Sequence, residues 1–403
     1  MGKMAGTEKM KQSVFLFLSK MDFGGQERFV SRLSEMLCDQ YDIYIVLLDG
    51  REVNYPIRGT VLDMKTRDFS TSFPKRALKT ICRCARLRGL LCEYRPIACM
   101  SFGMGPNLIN LLCKQRGTRV LPSIRGYATA ERMVKNRLVR FLFRRADSVV
   151  CVSKGIEKTL RENIPAIANK TVVLYNGYDC VQIAEQAQKE IPAGFAGRGT
   201  PQIVSVGTYR PEKGYWHLIK AVSLLKDRYP DIHLTIVGND CLDNGDNLKA
   251  LTERLGMQAH VSFEDFCSNP HAFTAHADVY VLASVREGFP NALVEAMVCG
   301  TPVVAADCLT GPREILSEKP YETVATEIEL AEYGLLVPRL TREPDYTATI
   351  FPEEQELAQA IDLYLKDPAL RTDYGARAAA RAREFSYDVC GQKAARILEG
   401  AST

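Results

Sequence analysis

The sequence predicts an α/β protein in which two doubly wound domains with parallel sheets follow one another along the chain. Its 403 residues exceed the length at which a single hydrophobic core usually stops growing, so two domains are expected. Short, continuously apolar runs alternate with amphipathic stretches in both halves, which is typical of parallel strands covered by helices on both faces. A Gly- and Pro-rich segment, "KEIPAGFAGRGTP" at 189–201, separates the two series and predicts a linker.

The individual elements follow from the apolar periodicity. We predict strands in the first half at "SVFLFLS", "YDIYIVLL", "IACMSF", "RVLPSI", "SVVCVS" and "TVVLYN". In the second half we predict them at "QIVSVG", "HLTIVG", "VSFED", "VYVLAS", "PVVAAD" and "YGLLVP". Helices such as "ERFVSRLSEMLCDQ" and "NALVEAMVCG" lie between the strands, and 317–352 suits an irregular insertion. The predicted domains are 1–185 and 186–386, with a helix at 387–403 that either stays with the second domain or crosses back to the first.

Composition narrows the class of protein. No apolar run approaches the roughly 18–20 residues of a membrane span, and the apolar part of the N-terminal segment is too short for a secretion signal. Thirteen cysteines without a CxxC pair disfavour structural zinc and disulfides, and they fit a reducing cytoplasm. Residues 1–200 carry 33 Lys+Arg against 18 Asp+Glu, whereas 201–403 carry 19 against 30. This asymmetry predicts an anionic partner for the first half.

The most informative stretch is "REGFPNALVEAMVCGTPVVAAD" at 286–307, which reads as a turn, a helix and a buried strand. Pro290 and Asn291 favour a helix start, and the unpaired amides at such a start form a site for a phosphate group. Glu287 lies just before this start and Glu295 lies inside the helix, so each carboxylate could accept hydrogen bonds from hydroxyls. A nucleotide sugar, with a diphosphate between two polyols, would satisfy these features. For either glutamate alone, a solvated surface acid is the alternative.

Two further loops suit a diphosphate. "VSVGTYRPEKGYWHLIKAV" brings Arg210 and Lys213 to the end of a strand, where a cation could neutralise a leaving diphosphate without a metal. "LFLSKMDFGGQERFV" places Gly24 and Gly25 between a strand and a helix, so that the backbone can approach a ligand closely. The alternatives are a solvated cation and a simple tight turn. The sequence has no D-x-D triplet, which disfavours a metal-carrying site. We therefore predict no metal, and we predict no other cofactor because the nucleotide sugar would be a substrate.

In this order, the segments resemble glycosyltransferase family 4, whose members are retaining enzymes of the GT-B fold. "EGFPNALVEAMVCGTPVVAADC" is similar to the family signature with its E-x7-E pair, and "VGTYRPEKG" to its cation loop. "MDFGGQERFV" is similar to its Gly-Gly segment, and "VLYNGYD" to its turn before the linker. The resemblance covers nearly the whole chain. It implies two Rossmann-like domains facing a central cleft, with the acceptor bound by 1–185 and the nucleotide sugar by 186–386.

The resemblance also implies a role for each matching residue. Glu287 would bind hydroxyls of the donor sugar, and Lys213 and Arg210 would bind the diphosphate. Arg125 follows a first-domain strand where many relatives carry a histidine or an arginine facing the sugar, and Glu295 would hold the ribose. The remaining donor-binding residues line the sugar or offer backbone amides to phosphate: Gly24, Gly25, Gly288, Phe289, Pro290, Asn291, Ala292 and Leu293.

Two positions depart from the family pattern. Thr208 stands where relatives usually carry an arginine, and Asp240 stands where they carry the second glycine of a loop. We expect Arg210 to supply the missing cation, and we expect the loop at Asp240 to differ from that of the family.

The implied function is transfer of a hexose or N-acetylhexosamine, with UDP as the favoured donor nucleotide, to a lipid-linked or polysaccharide acceptor. Relatives of this kind assemble bacterial capsule, O-antigen and lipopolysaccharide. Two alternatives stay open: a soluble glycosyltransferase that makes a small glucoside or storage glycan, and a non-catalytic module that binds nucleotide sugars. An NAD-dependent enzyme is disfavoured because "GMGPN" at 103–107 lacks the third glycine of the dinucleotide fingerprint.

Two basic amphipathic helices are predicted in the first half. Within "SFPKRALKTICRCARLRGLLCEYRP", Lys79, Arg83 and Arg86 share one helical face, and "RMVKNRLVRFLFRR" sets arginines against an apolar face. Such helices can lie on anionic lipid, which would place a cytoplasmic protein at the inner face of the plasma membrane. The alternative is an ordinary solvated face. Nucleic acid is not a predicted partner because interleaved aromatic residues are lacking.

Overall fold

The computed structural model describes residues 11–22, 24–66, 73–190, 194–195, 198, 200–240 and 243–401. The described residues fall into two compact units. Unit 1 lies within 1–152, 156–177 and 387–403, and unit 2 lies within 153–155 and 178–386. Each unit contains one seven-stranded sheet, which confirms the prediction of two Rossmann-like domains.

The strands of unit 1 are β1 (Gln12–Leu18), β2 (Tyr41–Leu47), β3 (Thr60–Asp63), β4 (Ala98–Phe102), β5 (Arg119–Ile124), β6 (Val149–Cys151) and β7 (Thr171–Val173). Those of unit 2 are β8 (Gln202–Val206), β9 (His233–Val237), β10 (Val261–Glu264), β11 (Val279–Leu282), β12 (Val303–Ala306), β13 (Glu329–Ala331) and β14 (Gly334–Val337). Their order is β3-β2-β1-β4-β5-β6-β7 in unit 1 and β10-β9-β8-β11-β12-β14-β13 in unit 2.

The helices in the first part of the chain are α1 (Gly25–Leu37), α2 (Phe73–Tyr94), α3 (Met104–Leu112), α4 (Tyr127–Lys135), α5 (Arg137–Phe143), α6 (Lys154–Asn163) and α7 (Cys180–Ala187). They are followed by α8 (Tyr215–Ser223), α9 (Gly245–Arg254), α10 (His271–Ala275), α11 (Asn291–Val298), α12 (Pro312–Leu316), α13 (Pro352–Lys366), α14 (Pro368–Ala382) and α15 (Tyr387–Glu399). Of the described helices, none combines the length and the hydropathy needed to cross a bilayer.

The sheet of unit 1 is parallel throughout and is covered on both faces. On one face, α1 and α15 pack together, and Ile397 and Leu398 of α15 share a core with Leu16 of β1. On the other face, Leu87 and Leu91 of α2 pack against β1 and β4. Helix α15 therefore belongs to unit 1, which was one of the two predicted placements. Strand β3 was not predicted because it is four residues long and none of its residues is fully buried.

The sheet of unit 2 is parallel except at one edge, where β13 pairs antiparallel with β14. Strand β13 was not predicted because it has three residues and its Leu330 is exposed. The predicted boundary at 185 falls inside α7, which packs against α10 and α11 of unit 2. The carboxyl ends of β8, β11 and β12 lie side by side at one edge of this sheet, where ligands of doubly wound folds usually bind.

Candidate active site

Glu287 lies in the turn between β11 and α11, at the carboxyl edge of the unit 2 sheet. Its side chain is 10 % exposed, and its Oε1 accepts a hydrogen bond from Lys213 Nζ at 2.7 Å. Ser284, two residues beyond the end of β11, donates to Oε1 at 2.7 Å. Both bonds end on one carboxylate oxygen, and among the described residues the other oxygen, Oε2, has no hydrogen-bond donor. The carboxylate is thus fixed in direction while it keeps an acceptor for a ligand hydroxyl.

Lys213 reaches Glu287 because its loop is bonded to the segment between the end of β11 and Glu287. The loop ends in a short 3-10 helix, Pro211–Lys213, followed by Gly214 at φ 62°. A side chain at Gly214 would overlap the carbonyl oxygen of Ala283, and the amide of Val285 donates to the carbonyl of Glu212 at 2.9 Å. Only glycine combines this left-handed conformation with so close an approach. The structure therefore brings together Lys213 and Glu287, which the sequence predicted from two separate motifs.

Arg210 lies in the same loop as Lys213 but is exposed. Its backbone amide donates to the carbonyl of Thr208 at 2.7 Å, and Arg210 is the N-cap residue of the 3-10 helix. The expectation that Arg210 supplies the family's missing cation remains a prediction.

Helix α11 begins at Asn291, directly after Pro290, as the sequence predicted. Pro290 is its N-cap residue, with φ −75° and ψ 100°, and provides no side-chain hydrogen bond to the first amides of the helix. Asn291 Oδ1 accepts a hydrogen bond from the Tyr178 hydroxyl at 2.7 Å. The ring of Phe289 packs edge-on against Phe385, with centroids 5.5 Å apart. These contacts hold the turn that also contains Gly288, and the first helical turn includes Ala292 and Leu293.

Glu295 lies on the buried side of α11 and is only 4 % exposed. Tyr280 of β11 is fully buried. Burial raises the pKa of Tyr280, and the negative charges of Glu287 and Glu295 raise that pKa further. Burial and then Glu295 also raise the pKa of the Cys299 thiol to about 12. The charges of Glu287 and Glu295 therefore act on the same buried side chain, Tyr280.

The loop after β12 supports the Glu287 turn, a contact that the sequence analysis missed. The Thr310 hydroxyl donates to the backbone carbonyl of Glu287, and Gly311 packs against Pro290. The loop is anchored by Arg313, whose Nε and Nη2 donate to Asp307 Oδ2 at 3.0 and 2.7 Å, with both side chains buried. The available signal was a Thr-Gly-Pro sequence at 310–312, separated by three residues from the end of the buried strand β12.

Replacing Gly311 with alanine should destabilise unit 2 and weaken nucleotide binding. Gly311 has φ 97°, and an added Cβ would lie 2.5 Å from Pro290 Cδ. We expect a loss of roughly 2–4 kcal/mol from left-handed strain plus steric overlap. The matched control is Gly256→Ala, because Gly256 has φ 63° and nothing within 4 Å of an added Cβ. Melting curves of both variants with and without UDP test this prediction. Equal losses of melting temperature and of the UDP-induced shift in the two variants would contradict a supporting role for the contact with Pro290.

In unit 1, Gly24 is the N-cap residue of α1 and Gly25 is its first residue. An added Cβ at Gly24 would overlap a carboxylate oxygen of Glu27, so that carboxylate lies beside the Gly-Gly turn. Burial raises the pKa of Glu27, and a bond to its own backbone amide offsets part of that rise. Glu27 is not among the site residues predicted from the sequence.

Arg125 follows β5 and is tied to neighbouring parts of unit 1. Its guanidinium carbon lies 3.7 Å from the centroid of the Phe29 ring. It donates to the carbonyl of Leu174 at 3.0 Å and to Asn176 Oδ1. Arg125 thus supports the turn of the "YNGYD" motif, and a contact with the donor sugar remains a prediction.

One cluster of described residues has the composition of a metal site: His217, Glu353 and Glu354. However, His217 Nδ1 lies 2.6 Å from Glu354 Oε1, and His217 Nε2 lies 2.9 Å from the carbonyl of Thr341. The second oxygen of Glu354 accepts from the amide of Phe351 at 2.6 Å. These atoms bind one another across α8 and the start of α13, so the cluster has a structural explanation.

Comparison with known families and proteins agrees with this geometry. The family model described as Glycosyltransferase Family 4 matches residues 23–182, and the model described as Glycosyl transferases group 1 matches residues 187–326. The first match contains the Gly-Gly turn and Arg125, and the second contains Lys213, Glu287 and Glu295.

Two curated relatives are bacterial glycosyltransferases. The chain is 27 % identical over 406 residues to the N-acetylgalactosamine-N,N'-diacetylbacillosaminyl-diphospho-undecaprenol 4-alpha-N-acetylgalactosaminyltransferase of Campylobacter jejuni, covering 96 % of this chain and 100 % of the relative. It is 24 % identical over 355 residues to the lipopolysaccharide core biosynthesis glycosyltransferase LpsE of Rhizobium meliloti, covering 87 % and 88 %.

Among solved structures, HepE of Anabaena in complex with UDP is similar, with a TM-score of 0.73 and 21 % sequence identity. The match covers 97 % of this chain and 100 % of HepE, and it supports the fold. The family models account for both halves of the chain, and each half forms the expected parallel sheet. The chain therefore belongs to the GT-B glycosyltransferases, with a family 4 segment followed by a group 1 segment.

Proposed function

We propose that this glycosyltransferase transfers a hexose or N-acetylhexosamine from a UDP-sugar to a lipid-linked glycan, with retention at the anomeric carbon and without a metal. The observation that carries the proposal is the Lys213–Glu287 pair at the N-terminus of α11. A cation, a directed carboxylate and a row of helix amides at one strand edge match the charge distribution of a diphosphate sugar.

Each part of this cluster has a role in donor binding. Glu287 Oε2 accepts a hydrogen bond from a hydroxyl of the sugar, while Lys213 and Ser284 hold Oε1. The amides of Ala292 and Leu293 bind phosphate oxygens, helped by the helix dipole. Glu295 accepts hydrogen bonds from the ribose. Arg210, exposed on the loop of Lys213, approaches the diphosphate when the donor is bound.

The transfer step is a front-face substitution. The bond between the anomeric carbon and the diphosphate oxygen breaks as the acceptor oxygen forms a bond to the same face of that carbon. The acceptor proton passes to the departing diphosphate oxygen. Lys213 and the amides of α11 stabilise the negative charge that develops on this leaving group. This lowers the free energy of the transition state more than that of the ground state. No covalent glycosyl-enzyme intermediate is required.

The similar proteins support the donor and acceptor classes. HepE of Anabaena has been solved with UDP and with UDP-glucose. The name of the Campylobacter relative specifies a diphospho-undecaprenol-linked acceptor and an alpha linkage, and LpsE acts in lipopolysaccharide core biosynthesis. We infer a lipid-linked acceptor of bacterial surface-glycan assembly, which would be met at the cytoplasmic face of the membrane.

Ligand-dependent melting tests the donor assignment. UDP at about 100 times its dissociation constant should stabilise the protein by roughly 2.7 kcal/mol. GDP and ADP at the same concentration as UDP should stabilise it less. A larger shift with GDP or ADP would contradict the choice of UDP.

Turnover tests the rest of the proposal. UDP-sugar consumption should continue in EDTA, and NMR of the product should show the donor's anomeric configuration. Loss of activity in EDTA that Mn²⁺ restores, or an inverted product, would contradict the mechanism. Absence of turnover with lipid-linked and soluble acceptors alike would favour a non-catalytic module, whereas turnover with soluble sugars alone would favour a soluble glucosyltransferase.

A further inference from the structure

Three helices of unit 1 lie on the same face of its sheet. The connections from β3 to β4, from β4 to β5 and from β5 to β6 all run in the same direction across the sheet. Because such crossovers share one hand, α2, α3 and α5 cover one face. Helix α3 packs against both α2 and α5. The outward sides of α2 and α5 therefore face the same way.

This layer carries the most exposed large apolar side chains of unit 1. In α2, Leu78 and Ile81 are 62 % and 65 % exposed, and in α5, Leu138 and Phe141 are 67 % and 61 % exposed. Any other large apolar side chain in the described part of unit 1 is less exposed, Val389 being next at 48 %. Four such side chains on one layer exceed what scattered surface hydrophobicity explains.

The positive charge of this layer is concentrated around α5. Residues 132–145 contain six basic residues and no acidic residue. Five of the six are exposed: Arg132, Lys135, Arg137, Arg144 and Arg145. None of the six forms an ion pair with a residue that the structure describes. Leu138 and Phe141 thus lie among cations whose charge the described chain does not neutralise.

In α2, two of the basic residues predicted to share one helical face bond to backbone carbonyls of unit 1. Arg83 Nη2 donates to the carbonyl of Thr66 at 2.9 Å, and Arg86 donates to the carbonyl of Met64. These bonds direct the two arginines to the end of β3. Ala85 and Cys82 are exposed beside Leu78 and Ile81. The exposed surface of α2 therefore includes an apolar strip, and Arg86 and Arg88 are exposed on the same helix. The outward face of a helix that meets only water is usually polar.

We infer that the outer layer formed by α2 and α5 binds an anionic phospholipid surface. Leu138 and Phe141 enter the boundary between headgroups and acyl chains, and the cations around them contact lipid phosphates. Leu78 and Ile81 add apolar contact from the neighbouring helix. A second copy of the chain fits less well, because a two-fold interface through α5 would set unneutralised cations against each other. The inference deepens the proposed function, since a membrane-bound acceptor would then lie beside unit 1, but lipid binding itself needs no donor.

Vesicle flotation of the full chain tests this inference. We expect binding to vesicles of phosphatidylcholine with about one-third phosphatidylglycerol, weakening as salt rises, and little binding to phosphatidylcholine alone. The double variant Arg137→Glu/Arg144→Glu should lower the partition coefficient onto vesicles at least about tenfold. Each basic residue near an anionic membrane surface contributes to the free energy of binding, and the variant replaces two such residues with acids. Its control is Lys189→Glu/Lys249→Glu, which makes the same charge change at exposed positions of unit 2.

Phe141→Ser should also weaken vesicle binding several-fold. Phe266→Ser should not, although Phe266 of unit 2 is 71 % exposed. Equal binding of wild type and Arg137→Glu/Arg144→Glu would overturn the inference. The inference would also be overturned if the wild type did not bind vesicles but self-associated, and if Phe141→Ser abolished that self-association. The UDP-induced melting shift, measured on every variant, shows whether unit 2 is intact and separates failure of lipid binding from failure of the proposed donor site.

Discussion

Replacing Lys213 with methionine is expected to lower kcat for sugar transfer about 10²–10³-fold, which is the usual effect of removing one group that stabilises transition-state charge. The ammonium group lies 2.7 Å from Glu287 Oε1, at the strand edge where we place the leaving diphosphate. Methionine keeps most of the length of the lysine side chain but not its charge. KM for the donor should change much less than kcat, because the negative charge on the leaving group is greatest in the transition state. Steady-state kinetics with a UDP-sugar measures both constants.

Two further variants make this prediction specific. Lys249→Met, at an exposed position of unit 2, is the control and should leave both constants near wild type. Lys213→Met/Glu287→Gln completes a double-mutant cycle, and we expect non-additive effects on kcat because the two side chains are in contact. An unchanged kcat with a raised KM for Lys213→Met would instead mean that Lys213 binds donor and transition state equally.

The second large effect is expected for Glu295→Gln, which should weaken UDP binding roughly 10–100-fold, the range for losing hydrogen bonds to a charged group. Glu295 is 4 % exposed, and glutamine preserves its shape. If the carboxylate holds the ribose, the loss appears in affinity, whereas the melting temperature without ligand changes little. Isothermal titration calorimetry with UDP gives the affinity directly.

Glu354→Gln is the matched control for Glu295→Gln. Glu354 is also buried in unit 2, but its carboxylate binds His217 and the amide of Phe351. We therefore expect a lower melting temperature with UDP affinity near wild type below that temperature. If Glu295→Gln behaves in the same way, Glu295 is structural and the assignment of the ribose site is wrong.

The sequence predicts well those features that depend on residues close together in the chain. The strands of the sheet interiors are continuously apolar, and Glu287, Pro290 and Glu295 lie within one strand–turn–helix segment. Parallel strands bring their carboxyl ends to one edge, so the proximity of Lys213 to Glu287 followed from two strand ends. The geometry of that pair is the part of the candidate site that sequence reasoning anticipated best.

The sequence fails where a side chain bonds to a distant element. Thr310 bonds to a backbone carbonyl of the Glu287 turn, and no periodicity marks a backbone acceptor. Arg83 was predicted as part of a basic helical face, and its hydrogen bond to the carbonyl of Thr66 was not anticipated. Arg125 contacts the Phe29 ring and donates to the carbonyl of Leu174, and neither partner was anticipated, while its contact with a donor sugar stays a prediction. In each case the deciding partner is a backbone group or a ring whose position only the folded chain fixes.

The position of α15 affects how the polypeptide is made. Its residues 387–399 are translated after all of unit 2, yet Ile397 and Leu398 fill the core of unit 1 beside Leu16. On the ribosome, where domains usually fold in order of synthesis, the first sheet must wait with one apolar face incompletely covered until the last helix emerges. Unit 2 can finish folding first, so the order of maturation is the reverse of the order of synthesis.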